Sequence, residues 1–242
     1  MYMFESTKLQ KANLSGWQSA PDSYYDGMFR LCASLNEVDI SSFSFTSNTR
    51  TSSMFNGCRA LTTIYCDKHL ENVLTTPKSS QMFGNCSALP HFISNKTDKT
   101  YAYPDNGQSG YFTSKNPVIL LEGLGEDGYF AEDGGADHIT SVTGQLNTTT
   151  TVQAVITKAG ISIKEIKDNT GIKYTPDTDG KFTVTFSACL TITVTLAAEG
   201  PYAALTSSSE NSPNDTLLFR LDANRSEFES TFDVEDTPTN PG

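Results

Sequence analysis

The segment Met28-Phe29-Arg30-Leu31-Cys32-Ala33-Ser34-Leu35 returns as Met54-Phe55-Asn56-Gly57-Cys58-Arg59-Ala60-Leu61, and again as Met82-Phe83-Gly84-Asn85-Cys86-Ser87-Ala88-Leu89. Each copy reads M-F-x-x-C-x-x-L. A fainter copy opens the chain, with Tyr2, Met3, Ser6 and Leu9 in the four marked places. The leucines Leu9, Leu35, Leu61 and Leu89 stand 26, 26 and 28 residues apart. Self-similarity at a fixed period marks units that stack, because one such unit cannot bury its own apolar face.

Within a unit, two periodicities follow one another. Met28, Cys32 and Leu35 lie at i, i+4 and i+7, which predicts one face of a short helix. Leu35-x-x-Val38-x-Ile40 then alternates, which predicts a short strand; Leu9/Ala12/Leu14 and Leu61/Ile64/Cys66 repeat it. Three residues on comes an aromatic slot, filled by Trp17, Phe43 and His69. Stacking the strands places Lys11, Glu37, Thr63 and His91 in one outward row and Asn13, Asp39, Tyr65 and Ile93 in the next. The candidate binding face is therefore Lys11, Asn13, Glu37, Asp39, Thr63, Tyr65 and His91. Tyr65 is its strongest single contact, since tyrosine offers a large contact area at low entropic cost. The competing reading is a merely solvated sheet. Cys32, Cys58 and Cys86 read as a column of small buried thiols, and His69 as a packing residue.

Composition narrows the partners. The 242 residues carry 17 Lys and Arg against 28 Asp and Glu, a net charge of −11. Nucleic acid and anionic lipid both require a basic footprint, so neither is expected. The longest apolar run, Val118 to Leu121, is too short for a membrane span. No secretory leader pattern opens the chain. The expectation is a piece of a longer protein, or export by another route such as inside a virus particle. Five cysteines without a C-x-x-C pair form neither a disulfide scaffold nor a zinc site.

The M-F-x-x-C-x-x-L-x-x-Φ-x-Φ-S pattern resembles the BspA-like leucine-rich-repeat family of bacterial surface proteins. Lys96-Thr97-Asp98-Lys99-Thr100-Tyr101-Ala102, followed by Gly107-Gln108-Ser109-Gly110-Tyr111-Phe112-Thr113, resembles the segment that closes the array in that family. The resemblance covers about residues 1–115. It departs in the first copy, where Tyr2 and Ser6 replace Met and Cys, and in the last strand, which Pro90 interrupts. It implies an exposed, non-enzymatic attachment module on a bacterial cell surface or a phage virion, and no catalytic residues.

After Asn116-Pro117 the pattern turns to short alternating runs at 118–121, 138–143, 151–157, 161–167, 181–187, 190–196, 216–221 and 228–234, separated by turn signals. These predict a two-layer sandwich over residues 116–235, with 236–242 a linker or terminal extension. Lys173-Tyr174-Thr175-Pro176 ahead of Gly180-Lys181-Phe182-Thr183-Val184 resembles bacterial immunoglobulin-like domains. The expected fold class is α+β: a short leucine-rich-repeat solenoid, then an all-β immunoglobulin-like sandwich.

Chemistry is sparse. Glu126, Asp127, Glu132, Asp133 and Asp137 form a weak calcium candidate on a Gly-rich loop, though their spacing matches no EF-hand. His69, His91 and His138 are isolated, and no nucleophile elbow, phosphate loop or zinc-helix motif occurs. No cofactor and no enzymatic activity are expected. Three roles remain: recognition of a host-surface protein or glycan, a structural virion or surface-layer component assembling with itself or its neighbours, or an accessory carbohydrate-binding module. The last needs an aromatic platform from Tyr129, Phe130, Tyr174 and Tyr202.

Overall fold

The computed structural model describes residues 2–198. Its first half is built from the repeat. Strands β1 (Lys11–Asn13), β2 (Glu37–Asp39) and β3 (Thr63–Tyr65) pair in parallel, with Lys11 opposite Glu37 and Glu37 opposite Thr63. The middle residues Ala12, Val38 and Ile64 point inward, so the residues on either side of them form the outer rows.

The M-F-x-x-C segments are linked turns, and the helix expected from their spacing does not form. Each of the three full copies carries two left-handed residues, Gly27/Ser53/Gln81 and Leu31/Gly57/Asn85. A left-handed residue breaks the helical ladder. The backbone donors go to the neighbouring turn instead: Phe29 to the Met54 carbonyl at 2.8 Å, Phe55 to Met82 at 2.8 Å, Leu31 to Asn56 and Gly57 to Gly84 at 2.7 Å each. Gly57 suits its place doubly, because a Cβ there would sit 2.8 Å from the Leu31 side chain.

This ladder corrects the alignment of the first copy. Phe4 donates to the Met28 carbonyl and stacks on Phe29 at 5.3 Å; Phe29 stacks on Phe55 at 5.7 Å and Phe55 on Phe83 at 5.9 Å. Met3-Phe4 is therefore the first Met-Phe pair, and Ser6 takes the left-handed position of Leu31. Thr7 takes the place of the thiol, its hydroxyl 3.3 Å from Cys32 Sγ. The turn register there is 25 residues while the strand register stays at 26. Each thiol donates to the phenylalanine carbonyl of the preceding turn: Cys32 to Phe4 at 2.8 Å, Cys58 to Phe29 at 3.0 Å and Cys86 to Phe55 at 3.1 Å. Burial pushes the Cys86 thiol up to about 12 and Cys58 upward too, so both stay protonated and inert.

The last copy makes no strand. Pro90 cannot donate to a ladder, and His91 is left-handed. Thr113 pairs with β3 in its place, donating to the Ile64 carbonyl and accepting from Cys66. Tyr111 and Phe112 cover Phe83 edge-on at 5.1 and 6.0 Å.

Among the described residues the second half holds eight strands: β4 (Val118–Glu122), β5 (Gly128–Glu132), β6 (Ser141–Thr143), β7 (Thr149–Ile156), β8 (Ile161–Asp168), β9 (Lys173–Tyr174), β10 (Lys181–Thr185) and β11 (Leu190–Ala198). They form one sheet in the order β10-β7-β5 and a second in the order β6-β4-β11-β8-β9, in which β4 and β11 run parallel. Ile119, Phe130, Val152, Val184 and Ile192 fill the core between them. Strand β5 arises inside the acidic stretch read as a loop.

The expected fold class is thus corrected. Among the described residues there is no α-helix, only one-turn 3₁₀ helices at Leu70–Asn72, Thr76–Lys78 and Lys99–Tyr101. Three strands of three residues do not curl into a leucine-rich-repeat solenoid, so neither that description nor the BspA-like one holds. The two later sheets, one of them mixed, do not close into an immunoglobulin-like sandwich. The architecture is mostly β with mixed sheets. The expected strands at 216–221 and 228–234, the tail 236–242 and Tyr202 lie outside the described residues.

Stacking has an energetic consequence. Leu61 is wholly buried in the middle turn, whereas Thr63 sits on the outer row. Leu61→Ala is expected to cost about 2–5 kcal/mol through the cavity it leaves. Thr63→Ala should change stability by less than about 0.5 kcal/mol. Urea titration of both variants checks this, and equal losses would contradict the strand register.

Candidate functional site

The outer rows of β1–β3 form the floor of a groove of about 610 Å³. Of the seven proposed face residues, Asn13, Glu37, Asp39 and Tyr65 line this floor, while Lys11 and Thr63 stand on the same strands in the order the parallel register dictates but outside the groove lining. His91 does neither, because the last copy has no strand. Its Nε2 instead lies 3.4 Å from Asp105 Oδ1, and burial holds the Asp105 carboxyl above its usual range despite the Gly107 amide and the imidazole.

The floor is electrostatically organised. Lys11 Nζ binds Glu37 Oε2 at 3.0 Å. Asn13 Oδ1 accepts from Ser15 N and Oγ at 3.0 and 2.7 Å, and Asp39 Oδ1 accepts from Ser41 N and Oγ at 3.0 and 2.6 Å. The same side-chain turn thus ends two successive strands. Asp39 is only 5% exposed although it belongs to an outward row, because Lys115 lies across it and pairs with Oδ2. The Lys115 ammonium also sits 5.4 Å from the centre of the Tyr65 ring, a cation–π contact.

Lys115 is held from below: Asp67 Oδ1 accepts from its N–H at 3.2 Å and from Ser114 Oγ at 2.5 Å. Beyond it rises the far wall, the turn Gln145-Leu146-Asn147. The Leu146 N–H donates to the Lys115 carbonyl at 3.1 Å and the Asn147 N–H to the Phe186 carbonyl at 2.7 Å. Gly144 lets the turn approach so closely, since a Cβ there would lie 2.2 Å from the Phe186 ring. Asn147 supplies the left-handed residue. Both halves of the chain therefore build one groove.

Lys115, Asn116, Gln145, Leu146 and Asn147 escape sequence reasoning. Lys115-Asn116-Pro117 reads as a boundary, and Gln145–Asn147 as an ordinary turn after Gly144. Nothing in their spacing signals that they meet the strands of the repeat.

The other candidates separate. Asp127 pairs with Lys158 at 2.8 Å and Asp133 with Lys181 at 2.8 Å. Among the described residues no three His, Cys, Asp or Glu side chains gather as a metal-holding group, and Glu126, Asp127, Glu132, Asp133 and Asp137 are not drawn together into one. Phe130 is buried core, and the Tyr174 hydroxyl donates to Asp168 Oδ2 at 2.9 Å. Tyr129 stacks on His138 at 3.8 Å. These aromatics share no common platform. His69 stacks on Tyr103 at 6.1 Å.

Comparison with known proteins adds one likeness. Residues 1–96 match the family model described as Mycoplasma protein of unknown function, DUF285. No curated protein and no solved structure matches the chain. Among the described residues no helix is long and apolar enough to cross a membrane.

Asp39 gives a pH test of the groove. Burial alone would raise its pKa, but hydrogen bonds from Lys115 and Ser41, with the lysine's charge, outweigh burial and hold it below the usual carboxylate value. A carboxylate depressed in the folded state binds fewer protons there than in the unfolded chain. Its contribution to stability is full above about pH 4 and is lost as pH falls through the folded pKa. Asp98 and Asp168 are depressed in the same direction, burial again opposing and side-chain hydrogen bonds prevailing. The wild type should lose stability on acidification below about pH 4, and Asp39→Asn should lose measurably less over the same interval. Chemical denaturation at a series of pH values measures both slopes; identical slopes would mean that the Lys115–Asp39 pair does not form in solution.

Proposed function

We propose that this chain is a non-enzymatic recognition module, displayed outside the cell on a bacterial surface or on a virion, which holds its partner in the groove above β1–β3. The observation that carries this reading is the preformed groove itself. Tyr65 and a lysine–carboxylate pair line the floor, side-chain amides line the far wall, and backbone hydrogen bonds fix both. Concave sites with a few convergent polar groups and an aromatic are where ligands bind by default. A net charge of −11 supports a partner that is neither nucleic acid nor anionic lipid. The likeness of residues 1–96 to a Mycoplasma family is compatible with a bacterial setting.

The test is binding of fluorescently labelled protein to cultured epithelial and bacterial cells. Tyr65→Ala should weaken saturable binding by about tenfold, as loss of a central aromatic contact does. Lys164→Ala, at an exposed site on β8, should leave it unchanged. Equal binding by both variants would contradict the groove as the recognition site.

A further inference from the structure

Resting on the groove as the recognition site, the geometry points to its ligand class: we infer that the groove binds an uncharged oligosaccharide, one sugar ring lying against Tyr65 and its hydroxyls meeting the amides of Asn116, Gln145 and Asn147.

Three observations lead there. The first is hydrogen-bonding capacity. Among the described residues, the side chains of Asn116, Gln145 and Asn147 and the Tyr65 hydroxyl make no hydrogen bond, although all four line the groove. The Asn13, Asp39 and Glu37 side chains on the same floor are engaged. A primary amide presents a donor and an acceptor side by side. Three of them on or beside a fixed turn match a ligand whose every polar group is both donor and acceptor, which is what sugar hydroxyls are.

The second observation is charge. Each carboxylate on the floor already has a lysine, Glu37 with Lys11 and Asp39 with Lys115. No unpaired cation of the floor remains to draw in an acidic sugar, a sulfate or a phosphate, and the protein's overall charge repels them. The Lys115 ammonium over the ring and the carboxylates beneath it disfavour cationic and anionic ligands alike.

The third is what an extended peptide would lack. A peptide binds a sheet by adding a strand to a free edge. Strand β2 is paired on both sides, and β3 is paired with β2 and with Thr113. The free edge of this sheet belongs to β1, two strands away from Tyr65, so the floor beneath Tyr65 has no edge to offer. Apolar lining is limited to Ala12, Leu146 and the tyrosine ring, too little to anchor a peptide side chain in a dry pocket. Lys115 covers one face of the Tyr65 ring, so the opposite face is the one that meets the sugar, its negative charge attracting the slightly positive C–H groups on one side of a pyranose.

The test uses the full chain on a printed array of neutral and anionic oligosaccharides, followed by backbone amide shift mapping with the best neutral binder. Binding confined to uncharged structures is expected, with shifts at Tyr65, Lys115 and residues 144–148. Gln145→Ala, an exposed side chain on a residue outside the left-handed positions of the turn, should weaken the array signal by about tenfold while leaving the thermal midpoint unchanged, as loss of ligand hydrogen bonds from one amide does. Signals restricted to sialylated or sulfated structures would overturn the inference. So would an absence of neutral binders together with Tyr65-dependent cell binding, an outcome that keeps the groove as a recognition site and makes its partner a protein. Shifts that map away from the groove, with cell binding insensitive to Tyr65→Ala, would overturn both the ligand class and the site.

Discussion

Phe4, Phe29 and Phe55 each donate their amide to the carbonyl of Met28, Met54 and Met82, and the thiols Cys32, Cys58 and Cys86 return a weaker bond to the phenylalanine carbonyls of the turn before. These turn-to-turn bonds are the constraint on which the rest of the first half depends. A buried backbone must find partners for its polar groups. Here they are found across turns, so a segment with two left-handed residues per copy can be buried without a helix. The same bonds fix the vertical register. Phenylalanine lies on phenylalanine, thiol follows thiol, and Asn13, Asp39 and Tyr65 fall into one outward row. A slip of one residue would turn Val38 and Ile64 outward and carry Asp39 into the core.

The groove follows from that row and from a single lysine. Lys115 stands where the closing segment leaves the stack, and it joins three neighbours: the Asp39 carboxylate, the Tyr65 ring and, through its carbonyl, the turn at Leu146. An ion pair of this kind adds little net stability, because removing the carboxylate from water offsets much of the attraction. Its effect is positional. It sets the tyrosine ring, covers and pairs the Asp39 charge and ties the second half to the first.

Much of this was legible in the sequence, and the misses have physical causes. The repeat period, the inward residues Val38 and Ile64, and the outward positions of Glu37, Asp39 and Tyr65 follow directly from matching letters and alternation. The helix expected over Met28 to Leu35 fails because the i, i+4, i+7 spacing also arises in two linked turns. The telling residues, Leu31 and Gln81, are not types that announce a left-handed backbone. Met3-Phe4 does not align with the later pairs at the strand period of 26, because the turn there has a period of 25. His91 left the row because Thr113, distant in sequence, took the fourth place. In the second half the alternation of β7, β10 and β11 was readable. The parallel pairing of β4 with β11 was not, since strand partners distant in sequence leave no local mark. Lys115, Gln145 and Asn147 were invisible for the same reason.

The account stands or falls on whether the walls of the groove are built before any ligand arrives. Native-state hydrogen exchange at the Leu146 and Asn147 amides measures this most directly. The account requires both to exchange slowly, at rates close to those of the central strand β7, because their hydrogens are bound to the Lys115 and Phe186 carbonyls. Exchange at the rate of an unstructured chain would show that the far wall is not formed, and the groove would no longer be a site.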